Sequence, residues 1–259
     1  MVAQMVARQY DYWRTVHRRT WRGSVFSAFL TPVLYIVAMG LVLGRFIDAA
    51  SPDLGAAPSY LHFVAPGLVA GHAMLMAMGE VLWPVMGMLK WNKTYHAMIA
   101  TPLSVPDILV AHLAFILVRV GLAGAVFLAV LAALGVVSSF AGAVLAWAAQ
   151  LLIGLAFAAP FYAVGASART DSTFSLVYRV VFMPLYLFSG AFFPIGNLAP
   201  ALQVAAMATP LWHGVELTRM ATLGVVDWSA ALVHVAYLTA LSAAGMLVAS
   251  RVLTRRLVR

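Results

Sequence analysis

Long apolar runs with almost no charge limit what this chain can fold into. Between Ile108 and Ala168 the only charged side chain is Arg119. A helix needs about 20 apolar residues to cross a bilayer, and it satisfies its own backbone polar groups, as lipid demands. A membrane barrel would instead show strands of about ten residues with alternating polarity, and these runs do not alternate. The chain has 259 residues, 64% of them hydrophobic and 9% charged, with a mean hydropathy of +0.95. Soluble domains carry about 45–50% apolar and about 25% charged residues. This chain cannot clothe a water-facing surface, so a soluble globular fold is excluded. The expectation is an all-α polytopic membrane protein, a single transmembrane domain over residues 1–259.

Six spans fit, at 23–47, 60–89, 108–137, 140–168, 174–193 and 228–250. Residues 1–22 carry Arg8, Arg14, Arg18, Arg19 and Arg22, with Val6, Tyr10, Trp13 and Val16 at helical spacing. That pattern predicts an interfacial helix lying on the membrane. A signal peptide is the rival, but 23–47 is longer than the usual apolar region of about 7–15 residues. Spans three and four are separated only by Val137–Phe140 and form an antiparallel hairpin. Lys and Arg set the orientation. With both termini in the cytoplasm, twelve of the sixteen fall on that side: the five N-terminal arginines, Lys90, Lys93, Arg169, Arg251, Arg255, Arg256 and Arg259. Arg45 and Arg219 lie outside. The net charge of +8 is read as this topology signal and not as a nucleic-acid footprint. The absence of cysteine excludes disulfides, thiolate metal sites and thiol catalysis.

Two stretches are not plain spans. In the cytoplasmic loop 90–107, KWNKTYHAMIATPLSVPD, a short amphipathic stretch (Trp91, Tyr95, Met98, Ile99) ends at Thr101–Pro102, because the residue before proline disfavours helix. Ser104 or Asp107 then caps span three. A helix on this loop suits docking to a partner that pushes on the membrane part; a plain connector is the alternative. The outer segment 194–227 is too apolar for a solvated loop and is broken by Pro194, Gly196, Pro200, Pro210 and Gly214. Neither half is long enough to cross and return. Two short re-entrant helices in the outer leaflet are expected there, capping a pathway, since irregular backbone at that depth must be buried in protein or line a cavity.

Charges inside spans are costly and invite functional readings. Glu80 lies nine residues from the end of span two and Arg119 eleven residues into span three. At 1.5 Å per residue these are depths of about 13 and 16 Å, so an ion pair or shared polar network facing the bundle interior is expected. His72, two turns from Glu80 on the same side, and Trp83 join it as candidates for the substrate path or for packing. His72, His112, His213 and His234 lack an H-E-x-x-H or other close spacing, so no metal site is expected. Glu216 and Arg219, three residues apart, are expected to pair. No catalytic residue is assigned.

The order of these features, with MIATPLSVPDIL (Met98–Leu109) and LFSGAFFPIGNLAPALQVAAMATPLWHGVELTRMATLG (Leu187–Gly224), resembles the ABC-2 type membrane subunits of ABC exporters. YLHFVAPGLVAGHAMLMAMGEVLWPVM (Tyr60–Met86) looks most like the branch of the nodulation lipo-oligosaccharide and daunorubicin-type drug exporters. The likeness covers essentially the whole chain. One departure is the short first outer loop, Arg45–Ser59, which leaves no room for an external domain. The resemblance implies an export permease for an amphipathic cargo: a glycolipid, lipo-oligosaccharide or hydrophobic drug. It implies a separate nucleotide-binding ATPase subunit and a two-plus-two assembly, a second identical permease being favoured. The setting implied is the inner membrane of a bacterium, among its lipids and without nucleic acid. Trp91, Lys93, Tyr95, Met98, Ile99, Thr101, Pro102 and Leu103 become the ATPase-coupling residues, with Arg169–Thr173 a smaller contact. Phe188, Phe192, Phe193 and Pro194 become an apolar outer gate, or simple aromatic packing. No G-x-x-x-x-G-K-[ST] loop occurs, so ATP and Mg belong to the partner and no cofactor is expected on this chain.

Two other classes are weighed. A proton-coupled secondary transporter would use Glu80 as its carrier, but no convincing repeat relates the halves. An intramembrane lipid-modifying enzyme would need a nucleophile–base pair or paired carboxylates, and only eight acidic residues are present.

Overall fold

The computed structural model describes residues 2–50 and 53–258, with side chains described outside 2–5, 17, 20–29, 31, 32 and 41. Met1, the side chain of Arg22, and Arg259, which enter the expected N-terminal helix and the charge count, lie outside the described residues. Among the described residues the chain is all-helical, without a strand. Helical backbone runs unbroken through α1 (Val2–Tyr35), a π-helical segment (Ile36–Leu43) and α2 (Gly44–Ala49). Next come α3 (Tyr60–Lys90), the short α4 (Thr94–Ile99), α5 (Val105–Ala133) and, after a tight turn, α6 (Phe140–Ser167). α7 (Ser172–Val177), a second π-helical segment (Tyr178–Phe182) and α8 (Met183–Phe188) make one shorter run. A 3-10 turn (Ile195–Asn197), α9 (Pro200–Met207) and α10 (Pro210–Leu223) lead to α11 (Trp228–Leu257).

Four helices, α3, α5, α6 and α11, are long and apolar enough to cross a membrane. They coincide with the expected spans two, three, four and six. The expected span five is the segmented run through α7 and α8. The segment expected as an interfacial helix and the start of the expected span one form one continuous helix, with Gly23 inside α1. One interior glycine costs a helix about 1 kcal/mol, too little to end it when α5 supports α1 alongside. Trp13 is buried and stacks on His112 of α5, and Tyr10 meets Phe115 edge-on. At these two positions the stripe expected to face lipid faces protein. The lipid-type surface lies elsewhere: Phe140 is 86% exposed and Leu232 70%.

α6 packs against α3, α5, α10 and α11. Its buried face is rich in glycine and alanine, which lets backbones approach closely. A Cβ on Gly165 would lie 2.4 Å from the Val81 carbonyl oxygen of α3, and one on Gly245 of α11 would lie 2.6 Å from the nitrogen of Pro160. Gly165→Ala is therefore expected to wedge α3 and α6 apart at a cost of about 1–3 kcal/mol. Gly79, on α3 with open space around it, serves as the control; its change to Ala is expected to be neutral or stabilising by up to about 1 kcal/mol. Thermal midpoints of the detergent-solubilised protein check both.

Two caps fix the loop ends. Ser104 Oγ accepts from the Asp107 N–H at 3.4 Å, while the Ser104 N–H donates to the Asp107 carboxylate at 3.0 Å. Of the two expected caps, Ser104 holds the position and Asp107 reciprocates. Asp227 accepts hydrogen bonds from the Ser229 hydroxyl and from the Ser229 and Ala230 N–H groups ahead of α11, which hold its carboxyl below the usual range.

Candidate functional site

The loop between α3 and α5 begins with a sharp reversal. Lys93 takes a left-handed backbone, φ 51°, and α4 starts at the next residue. A six-residue helix has too few hydrogen bonds to stand alone, so its position depends on what it buries. Tyr95 is 0% exposed. Its hydroxyl lies 2.9 Å from His112 Nδ1 on α5 and 2.6 Å from the Tyr162 hydroxyl on α6. His112 Nδ1 also lies 3.3 Å from the Tyr162 hydroxyl. The Trp13 ring covers this triad, stacking on His112 at 3.9 Å and 8°. Three residues further along α4, the Met98 sulfur accepts a hydrogen bond from Gln9 Nε2 at 3.1 Å. Burial pushes the Tyr95 hydroxyl well above its usual range, so it remains a neutral donor and acceptor. One helical turn thereby ties α1, α5 and α6 together.

The expected coupling residues divide by face. Tyr95 and Met98 are buried, and Ile99 and Leu103 half-buried. Trp91, Lys93, Thr101 and Pro102 are exposed, Trp91 to 65%. The Thr101 hydroxyl donates to the Met98 carbonyl at 2.6 Å, closing α4. Tyr95 thus contacts the bundle and not an external surface. Trp13, Gln9, His112 and Tyr162, which complete the anchor, were not singled out for it in the sequence. A polar tip at Tyr162 within a mostly apolar helix was the available signal.

Deeper in the bundle, Arg119 Nη1 and Glu80 Oε1 meet at 2.5 Å between α5 and α3. Their side chains are 19% and 21% exposed. His72 sits apart, edge-on to Phe127, with its Nδ1 buried and unpartnered. Trp83 packs edge-on against Phe174 and tilts over Tyr178, joining α3 to the α7 run. The four candidates therefore form one ion pair, with His72 and Trp83 each in separate aromatic packing.

At the opposite end, Gly190 turns the chain with φ +75°. A Cβ on Gly67 of α3 would lie 2.6 Å from the Ala191 Cα, so the turn rests directly on α3. Phe192 meets Tyr186 edge-on at 4.9 Å, and its carbonyl accepts from the Tyr60 hydroxyl at 3.0 Å. Phe188 is exposed and Phe193 half-buried. Pro194 helps line a cavity of about 360 Å³ with Phe63, Glu216 and Arg219. Arg219 pairs with Glu216 at 2.5 Å, donates to the Gly190 carbonyl at 2.7 Å and lies over the Phe63 ring at 4.3 Å. α10 is buried against α6, α3 and α11, whereas α9 leaves Val204 and Leu202 exposed. His213 and His234 contact each other, Nδ1 to Nδ1 at 2.7 Å; among the described residues no group of three metal-binding side chains forms.

Helices of spanning length, a mostly buried ion pair between two of them and a small loop helix packed on the bundle define a helical multi-pass membrane protein. The chain belongs to the ABC-2 type transporter family, which it matches over residues 10–223. It is a multi-pass membrane protein and the permease-type component of an ABC exporter, a role that implies an ATPase subunit as partner. Among curated relatives it is similar to nodulation protein J of Rhizobium leguminosarum bv. trifolii, 32% identical over 224 residues and 83% of either chain. The protein of the same name from bv. viciae is 31% identical over 261 residues, 95% of each chain. That of Bradyrhizobium diazoefficiens is 29% identical over 262 residues, 98% of this chain and 97% of that one.

Proposed function

We propose that this chain is the membrane half of an ATP-driven exporter in the inner membrane of a bacterium. Two copies, each crossing six times with both termini in the cytoplasm, would work with two ATPase subunits to move an amphipathic substrate outward. A glycolipid or lipo-oligosaccharide is the favoured cargo, a reading supported by the relatives' nodulation name and by the apolar, aromatic-rich bundle. The observation that carries the mechanism is the two-faced α4. The exposed flanks of this helix, Trp91 before it and Thr101 and Pro102 after it, are the docking face; its buried side, through Tyr95 and Met98, holds α1, α5 and α6. ATP-driven closure of the partner displaces α4, and rigid packing passes that displacement to three helices at once. The Glu80–Arg119 pair keeps α3 and α5 moving as one body. The turn at Phe188–Pro194 gates the outer side, with α9 and α10 dipping into the outer leaflet.

Substituting the exposed face tests the docking role without touching the core. Trp91→Ala combined with Pro102→Asp is expected to lower recovery of the co-expressed ATPase at least about tenfold, equivalent to about 1.4 kcal/mol of binding, while the permease's thermal midpoint stays put. Undiminished recovery would place the docking surface elsewhere. Because the chain has no cysteine, single cysteines at Arg169 and Asn197 also report sidedness directly: an impermeant maleimide applied to intact cells is expected to label only the latter.

A further inference from the structure

The cytoplasmic ends of three spanning helices meet α4 around a cavity of about 130 Å³. Met86 and Leu89 of α3 and the last turn of α6 wall it, and three basic side chains from different elements converge on it: Lys90, His96 of α4 and Arg256 of α11. Lys90 Nζ donates to the Arg169 carbonyl, and Arg256 Nη2 to the Ser167 carbonyl at 2.7 Å. Each contact uses one N–H, whereas an ammonium has three and a guanidinium five. Among the described residues neither cation is in an ion pair with a carboxylate. All three side chains are solvent-exposed, so the recess is an open basic patch that no carboxylate among the described residues neutralises.

We propose that this cavity is a phosphate site occupied by the headgroup of an anionic phospholipid. At about 10–15 Å³ of such space per water, its volume has room for a phosphate and its ester link. It lies where α3, α6 and α11 end, so a bound headgroup would sit at the membrane surface with its chains outside the bundle, in which Met86 and Leu89 are buried. Basic pockets between spanning helices at the cytoplasmic surface hold lipid phosphates by these means. Since α4 contributes His96, a bound phosphate also braces the coupling helix against α11. The inference rests on the cytoplasmic placement of these helix ends given above, and not on export itself.

The full-length permease in nanodiscs of phosphatidylglycerol and phosphatidylcholine, analysed by native mass spectrometry, tests it. Phosphatidylglycerol is expected to be retained preferentially. Its affinity is expected to fall about fivefold for either Lys90→Gln or Arg256→Gln and about thirtyfold for both, at about 1 kcal/mol per basic residue. The charge-preserving pair Lys90→Arg and Arg256→Lys is expected to retain it, which separates loss of charge from loss of fold. Equal retention by the wild type and the Gln pair, or no preference over phosphatidylcholine, overturns the proposal. A second arm labels amines, Lys90 and Lys93 being the only lysines. Protection of Lys90 by inorganic phosphate but not by phosphatidylglycerol assigns the site to free phosphate and overturns the lipid source. Lipid lost from the wild type whenever the ATPase is bound assigns it to an acidic surface of that partner and also overturns the proposal. Lipid retention without ATPase association would sink the exporter reading alone.

Discussion

Tyr95→Ala is expected to leave the ATPase able to bind but unable to drive the bundle. Removing a fully buried aromatic side chain opens a cavity and costs about 3–5 kcal/mol. Here it also strips His112 and Tyr162 of the hydroxyl they share. The milder Tyr95→Phe keeps the ring and deletes only the hydroxyl. His112 and Tyr162 then have each other, at the longer separation of 3.3 Å, and the expected cost is about 1–3 kcal/mol. Both variants leave Trp91, Thr101 and Pro102 untouched. The expected pattern is retained co-purification of the ATPase, a lower thermal midpoint, and hydrolysis returned to the rate of the ATPase alone, fully for Ala and partly for Phe. The opposite pattern, lost ATPase binding with full hydrolysis per bound complex, would mean that Tyr95 belongs to the docking face after all.

Arg119→Met is expected to be the most damaging change within the spans. It leaves Glu80 as an unpaired, mostly buried carboxylate, a situation that costs about 3–5 kcal/mol, with the low end expected because the side chains are 19% and 21% exposed. Replacing both partners by Met removes the charge together with its desolvation penalty. The double variant is expected to recover to within about 1 kcal/mol of the wild type, or to exceed it. Thermal unfolding of the two single variants and the double closes the cycle. Transport assigns the pair's role: a stable double variant that still exports means the pair joins α3 to α5, and a stable one that does not means the charges meet the cargo.

The sequence was most legible where a pattern has one physical solution. Uninterrupted apolar runs bounded α3, α6 and the start of α11 within a few residues, because a bilayer imposes a length. Depth arithmetic brought Glu80 to Arg119 because α3 ends and α5 begins at the same short loop and both rise equally per residue. The N-terminal boundary was not legible. A basic segment followed by an apolar one reads as two elements, but continuity of helix depends on a neighbour, and α5 supplies it through His112 and Phe115. The inward turn of Tyr95 escaped for the same reason. An amphipathic six-residue helix shows which residues share a face, not which way that face points. His112 and Tyr162, far off in sequence, decide it.

In the proposed exporter, α4 links this chain to the work of an ATPase. The direct measurement is ATP hydrolysis by the partner ATPase in proteoliposomes, with and without this chain, alongside Tyr95→Phe. The rate is expected to depend on the permease and to fall toward the ATPase-only value in the variant. A rate identical with and without the chain would contradict it, as would dissipation of a proton gradient by the chain alone.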